Sequence, residues 1–383
     1  MSTLTPPSTA AAQDAVTVDE LCDHVRSLAR ADEQLACDFA RIFFARIPRT
    51  LLEERSVQEL AAMTLGAWEF LQRARPDQVN VEVADPRDEG WKAPVTVIRT
   101  EVGDRPFIVD TIREYLNAEN IPILHYVYPV LRVERGAGGA ITAVSSGTGA
   151  GGGEALEALG HVEIPHVARR ERAAEIRDEV RRRLSDVVEA TRDFRAMVER
   201  VERVQAEVAG YLRRFHDHAR EYGEYLEFLG WLREGNFVFL GARAYEITGE
   251  GDQAAVRVEA GSGLGILAEE ERSQYAQPQR IAEMSPELRE RVVAGPLLIV
   301  SKANRESTVH RRARMDYIGV KRLDEQGNVA GEWRFLGLFT SQAYAQSPAE
   351  IPILRQKRQS ILQQSGFREG SHDYKEIVSA LHE

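Results

Sequence analysis

Only two cysteines, Cys22 and Cys37, stand in the 383 residues of this chain. They sit apart in a helical region with no second pair at ligand spacing, which fits a reducing, cytoplasmic compartment and supplies no metal site. No run of about eighteen apolar residues occurs, so no membrane-spanning helix is encoded. The net charge is -11, which argues against a general nucleic-acid binder, because neutralising phosphate requires a basic surface. The start, MSTLTPPSTAAAQDA, has no Arg, no Lys and no apolar core, so it encodes no export signal and is expected to be a disordered tail over residues 1–16. Two glycine-rich stretches imitate phosphate sites and fail on spacing. Gly136 to Gly153 has no Lys-Ser/Thr and reads as a flexible surface insertion. In Gly261-Ser262-Gly263-Leu264-Gly265 the third glycine falls one position early for a dinucleotide fingerprint. No Ser-His-Asp order, pocketed pair of acids or zinc spacing is visible, and His216 and His218 are two apart, which on a helix points them to different sides. The sequence therefore assigns no catalytic, cofactor-binding or metal-ligating residue.

What is present has the balance of a soluble globular protein, with 43% hydrophobic and 28% charged residues, and is long enough for two or three domains. Apolar residues recur at three and four from Val18 to Ala74, predicting three amphipathic helices packed as a cap over 17–76. Strands are predicted at Val79 to Ala84, Pro94 to Val102, Ile121 to Glu134 and His161 to Pro165. Between the second and third lies Gly103-Asp104-Arg105-Pro106-Phe107, in which Asp104 is placed to cap and Pro106 to occupy the first turn of a helix with Ile108, Ile112, Tyr115 and Leu116 on its buried stripe. From Arg169 to Phe215 no proline occurs. Ile176, Val180, Leu184, Val187, Thr191, Phe194, Val198, Val201, Val204 and Val208 there predict a long helix or helical hairpin with one apolar seam.

A second sheet is expected from Asn236 to Ile247, Val256 to Glu259 and three further runs, Leu297 to Ser301, Asp316 to Arg322 and Trp333 to Thr340, the last two joined by a turn at Gln326-Gly327-Asn328. Before the central run lies a basic loop carrying Lys302, Arg305, His310, Arg311, Arg312 and Arg314, and Lys321 extends the basic run. Two readings stay open for it: it coordinates an anion, or it is a solvated rim paired with acidic surface. A grip on nucleic acid is the weaker third. Helix resumes from Pro348 to Glu383 and runs to the last residue without a breaker, so it is expected to continue into a missing domain. The class is α+β. Its expected parts are the cap, a strand-helix-strand domain over 77–168 with the insertion 136–153, a helical segment over 169–234, a second module over 235–345 and helices over 346–383.

KANRESTVHRRARMDYIGVKR, GEWRFLGLFTSQAY, IPILRQKRQSIL and SGFREGSHDYKEI, with WLREGNFVFLG, GSGLGIL and DRPFIVDTIREYLN upstream, together resemble the amino-terminal regulatory region of the large bacterial NAD-dependent glutamate dehydrogenases from about Ala36 onward. The strand, DRP turn, helix and strand resemble the opening half of the β-α-β-β-α-β ACT domain. That resemblance implies an amino-acid effector at the turn, with Gly103, Asp104, Arg105 and Asp110 as its contacts, although Phe107 stands where effector-binding ACT domains place glycine. The second module is implied to be PAS-like or ACT-like. For the parent enzyme the resemblance implies NAD, homo-oligomeric assembly and oxidative deamination of L-glutamate, with the catalytic portion of the same enzyme as partner and none of its chemistry on these residues. A free-standing sensor of an amino acid or small anion is the alternative.

Overall fold

The computed structural model describes residues 16–29, 32–147 and 155–381. Residues 1–15 of the expected tail and the part of the glycine-rich insertion over 148–153 lie outside the described residues. The chain divides into two units, Met1–Ser185 and Asp186–Glu383, and its helices and antiparallel sheets make it α+β.

The first unit begins with four helices, α1 (Val18–Leu28), α2 (Glu33–Phe44), α3 (Arg49–Glu54) and α4 (Val57–Arg73), one more than the rhythm predicts. The additional one, α3, forms because Pro48 falls at its N-cap, outside the turns it would break, and Leu51 is buried. Capping boxes fix two of the starts, Thr17 with Glu20 and Ser56 with Glu59.

There follow β1 (Asn80–Ala84), β2 (Val95–Gly103), α5 (Ile108–Ala118), β3 (His125–Val127), β4 (Val130–Arg135), β5 (Ile141–Ser146), β6 (Glu157–Pro165) and α6 (Arg170–Arg192). The sheet order is β1-β2-β6-β4-β5, with β3 also on β6 and every pair antiparallel. This corrects three expectations. The unit runs β-β-α-β-β-β-β-α, because β6 inserts between β2 and β4 and precedes the last helix. The strand expected from Ile121 to Glu134 is two strands, since Pro129 has no N–H to donate; only its carbonyl pairs, accepting from Leu159 N at 3.0 Å. The insertion is partly built into the sheet, where Ile141 and Val144 of β5 are buried.

Both faces of β2 and β6 are buried. One face contributes Val95, Val97 and Leu159 to a core shared with Leu21, Val25, Phe39, Phe43, Leu60 and Trp68 of the helical cap. Alternation turns the intervening residues to the side of α5 and α6, where Arg113 lies 5.5 Å from the Tyr126 ring and Arg183 lies 5.1 Å from that of Tyr115.

The second unit begins at Asp186 within α6 and continues with α7 (Phe194–Arg214), separated from α6 by the non-helical Asp193. The predicted seam survives as buried Ile176, Val180, Leu184 and Val187 in α6 and Val201, Val204 and Val208 in α7, but Phe194 is 50% exposed and Met197 is buried where Val198 was expected, because the break resets the helical phase. After α8 (Ala219–Trp231) come β7 (Phe237–Thr248), β8 (Ala255–Val258), β9 (Leu264–Gly265), β10 (Gln279–Arg280), α9 (Pro286–Val293), β11 (Leu298–Glu306), β12 (Arg314–Leu323) and β13 (Val329–Phe339). The helices α10 (Ser341–Ala345), α11 (Leu354–Gln364) and α12 (His372–Ala380) close the chain.

The second sheet runs β10-β8-β7-β13-β12-β11, with β9 on β7, again wholly antiparallel. One face packs Phe239, Ile318, Val320, Trp333 and Phe335 against Val204, Tyr211, Phe228 and Leu229 of α7 and α8. The turn from β12 to β13 is held by Asp324 Oδ1, which accepts from Gln326 N at 2.9 Å and Asn328 N at 2.8 Å, with Gly327 at φ +90°.

Gly66, in the middle of α4, carries a prediction. A β-carbon there would come closer than 3.0 Å to both the Glu89 carboxylate and the Arg99 guanidinium. Gly to Ala inside a helix ordinarily stabilises by about 0.5–1 kcal/mol. Here Gly66→Ala should instead lower the urea midpoint, by an amount equivalent to roughly 1–3 kcal/mol.

Candidate functional site

At the DRP turn, Gly103 ends β2 and the Asp104 amide donates to Leu156 O at 2.7 Å. Asp104 and Asp110 are exposed, while Gly103 and Arg105 are partly buried. Arg105 folds back, its Nε donating to Gly103 O at 2.8 Å, and burial lowers its pKa against the opposing pull of Asp104. The expected cap is corrected: α5 starts at Ile108, after Pro106, and no side chain caps it. The cause is Phe107, whose φ of +75° puts it in the left-handed region. That conformation costs a non-glycine residue roughly 1–2 kcal/mol, so the position where the ACT pattern has glycine is one that physically favours it.

The basic loop starts as the end of β11. Lys302 Nζ lies 2.6 Å from Asp316 Oδ1 and Arg312 Nε lies 2.8 Å from Glu306 Oε2. Arg311 donates to Phe339 O at 2.9 Å and lies 5.7 Å from the Tyr344 ring. His310 turns the chain at φ +67°, and Arg305 and Arg314 are exposed. The fold thus gives several of these cations partners on neighbouring strands. Elsewhere, Cys22 and Cys37, fifteen residues apart in sequence, are adjacent in space: each thiol lies within 4 Å of the other's carbonyl (3.9 and 3.6 Å), and both are buried and free. The one grouping with metal-ligand reach among the described residues is the exposed trio His372, Asp373 and Glu376 on α12.

A constellation missed in the sequence lies between the first sheet and its cap. Arg99 and Glu101 of β2 and His161 and Glu163 of β6 are fully buried and share one face, with Arg99 directly across from His161. Arg99 donates to Glu89 Oε1 at 2.6 Å and Glu82 Oε1 at 2.8 Å, and Arg55 of the cap reaches Glu163 Oε2 at 2.9 Å. Arg135 pairs with Glu157 at 2.8 Å. The His161 ring stacks on Trp91 at 5.9 Å and meets the edge of Phe43 at 5.8 Å. Neither of its nitrogens has a hydrogen-bond partner among the described residues, though Nε2 lies 3.9 Å from Glu163 Oε1, and burial lowers its pKa. Burial works against ionised Glu163, but His161 and Arg55 hold its carboxyl below the usual range. The available signal was the period-two placing of polar residues in TVIRTEV and LGHVEI, which an exposed strand face explains equally well.

An ACT-like α+β module, built on antiparallel sheet with its DRP turn at a helix start, is the class these features define. The glutamate dehydrogenase ACT1 domain matches residues 39–180, and glutamate dehydrogenase helical motif 1 matches 351–383. The NAD-specific glutamate dehydrogenase of Halomonas elongata is 31% identical over 362 residues, covering 93% of this chain and 22% of that protein. That of Pseudomonas aeruginosa is 30% identical over 346 residues, covering 90% and 21%. Residues 39–180 and 351–383 thus match domains of glutamate dehydrogenases, and the chain is similar along nearly all its length to NAD-specific glutamate dehydrogenases while spanning about a fifth of the length of these relatives.

Glu101 provides a pH test. Burial and the neighbouring Glu157 push its pKa from 4.5 up to about 7, against the Asn80 amide that donates to it at 2.6 Å. The folded carboxyl holds its proton more tightly than the unfolded one. This contribution to stability is therefore complete below the ordinary value of 4.5 and is lost as pH rises to about 7, a change on the order of 3 kcal/mol. Glu101→Gln should match the wild type in urea unfolding near pH 4.5 and exceed it above pH 7. Equal midpoints at both would remove the buried acid as the cause.

Proposed function

We propose that this chain supplies the regulatory and assembly portion of an NAD-dependent glutamate dehydrogenase, whose reaction converts L-glutamate, NAD and water to 2-oxoglutarate, ammonium and NADH. NAD is held by the catalytic portion of the same enzyme, which is this chain's partner, and the parent is a cytoplasmic homo-oligomer. The alignment with the relatives carries the reading: it runs along nearly all of this chain and about a fifth of each of them. The topology supports it. Among the described residues every strand pair is antiparallel, whereas a dinucleotide site of the Rossmann kind needs parallel βαβ units. No helix among the described residues is long and apolar enough to cross a membrane.

An amino-acid effector binds at the DRP turn through Gly103, Asp104, Arg105 and Asp110. Supporting this, α5 begins there without a side-chain cap, its dipole favours a carboxylate at that end, and Arg105 adds positive charge nearby. Lys302, Arg305, His310, Arg311, Arg312 and Arg314 serve as an inter-subunit surface, with the exposed Arg305 and Arg314 toward acidic residues of a neighbouring copy.

Two measurements test this. The purified chain, supplied with glutamate and NAD, should form no NADH; turnover would overturn the division of labour. A panel of amino acids should contain at least one that raises the melting temperature by a few degrees, on the order expected for ligand well above its Kd. Asp104→Ala and Arg105→Ala should each abolish that rise. A rise that persists in both variants would displace the effector from the turn.

A further inference from the structure

The second unit holds a cavity of about 770 Å³ lined by residues that include His218, Glu221, Tyr222, Gly295, Lys321 and Asn328. Lys321 is only 2% exposed, and its ammonium has no hydrogen-bond partner among the described residues. An unpaired buried ammonium is costly enough that proteins ordinarily pair it or neutralise it. The obvious partner is close, for Glu332 stands directly across from Lys321 in the β12–β13 ladder. Its carboxylate is turned away, however, accepting from the Tyr317 hydroxyl and lying 3.3 Å from Arg334. Gly295 marks the approach from the cavity: a β-carbon there would sit 3.8 Å from Lys321 Nζ, and its φ of +83° disfavours any residue that has one. Val293, Leu297 and Val329 supply apolar wall beside the polar groups.

We propose that this cavity is a binding site for a small organic acid, whose carboxylate enters past Gly295 and takes up Lys321 as its counter-ion. The site is separate from the DRP turn, belongs wholly to the second unit and does not depend on the effector reading there. Burial lowers the pKa of Lys321, with Arg291 adding to the effect against Glu332. That is the direction that binding of a carboxylate would reverse.

The test uses the full chain, with sodium acetate and sodium succinate titrated against sodium chloride of matched ionic strength. A carboxylate should raise the wild-type melting temperature by about 3 °C at about ten times its Kd, beyond any effect of chloride. Lys321→Met should melt higher than wild type without carboxylate, since it removes an unpaired buried charge, and should lose the carboxylate-specific rise. Asp104→Ala should keep that rise, separating this site from the turn. Absence of a carboxylate-specific rise in the wild type would overturn the proposal, as would an undiminished rise in Lys321→Met. Should Lys321→Met not fold, Lys321→Gln takes its place, and calorimetric titration of the wild type with succinate should give a saturable heat of binding, whose absence would equally overturn the proposal.

Discussion

The first unit rests on the pairing of charges that its sandwich construction takes out of water. The central strands β2 and β6 are covered on both sides, yet the face beneath the cap carries Arg99, Glu101, His161 and Glu163. A buried ion left alone costs several kcal/mol, so each charge there must be matched by geometry from another element. Glu82 comes from β1, Glu89 from the turn after it and Arg55 from the link between α3 and α4. Only when the cap is seated are these partners present together. The apolar core and the polar pairs thus specify the same docking of helices on sheet.

The same device is present in the second unit and is left incomplete there. Its polar sheet face carries Arg334 over the Tyr245 and Tyr317 rings at 4.2 and 5.2 Å, with Glu332 beside it. Arg243 is satisfied by backbone carbonyls, including that of Glu269 at 2.7 Å. Lys321 alone in this row is buried without a partner among the described residues, and it borders a cavity. A protein that pairs its other buried cations so closely makes the exception informative.

Family and architecture fit together through what antiparallel pairing permits. A module of β-hairpins and covering helices offers turns and edges for a small effector or another subunit, whereas hydride transfer calls for a crossover crevice holding the nicotinamide carrier. The ACT1 match runs from within α2 to within α6, and the helical motif match covers α11 and α12. Between them lies the second unit's sheet, for which the resemblance implied a PAS-like or ACT-like module and which neither match reaches.

Much of this was legible from residues alone. Three-and-four spacing located the helices, β-branched runs located β1, β2, β7, β12 and β13, and Gln326-Gly327-Asn328 marked the hairpin turn, because each is a local preference written into neighbouring residues. Strand order was not local. Nothing near Ile121 announces that β6 will insert beside β4, nor does Pro129 reveal that its carbonyl alone will pair. Phe107 by residue type gave no hint of its left-handed backbone; only its place at the glycine of the ACT pattern did. Arg99, Glu101, His161 and Glu163 looked like the wet face of a strand, and Lys321 like one more cation in a basic run. Sequence determined where the chain would turn, coil and extend; tertiary structure alone decided which charges lost their water, because desolvation depends on what folds over a residue from far along the chain.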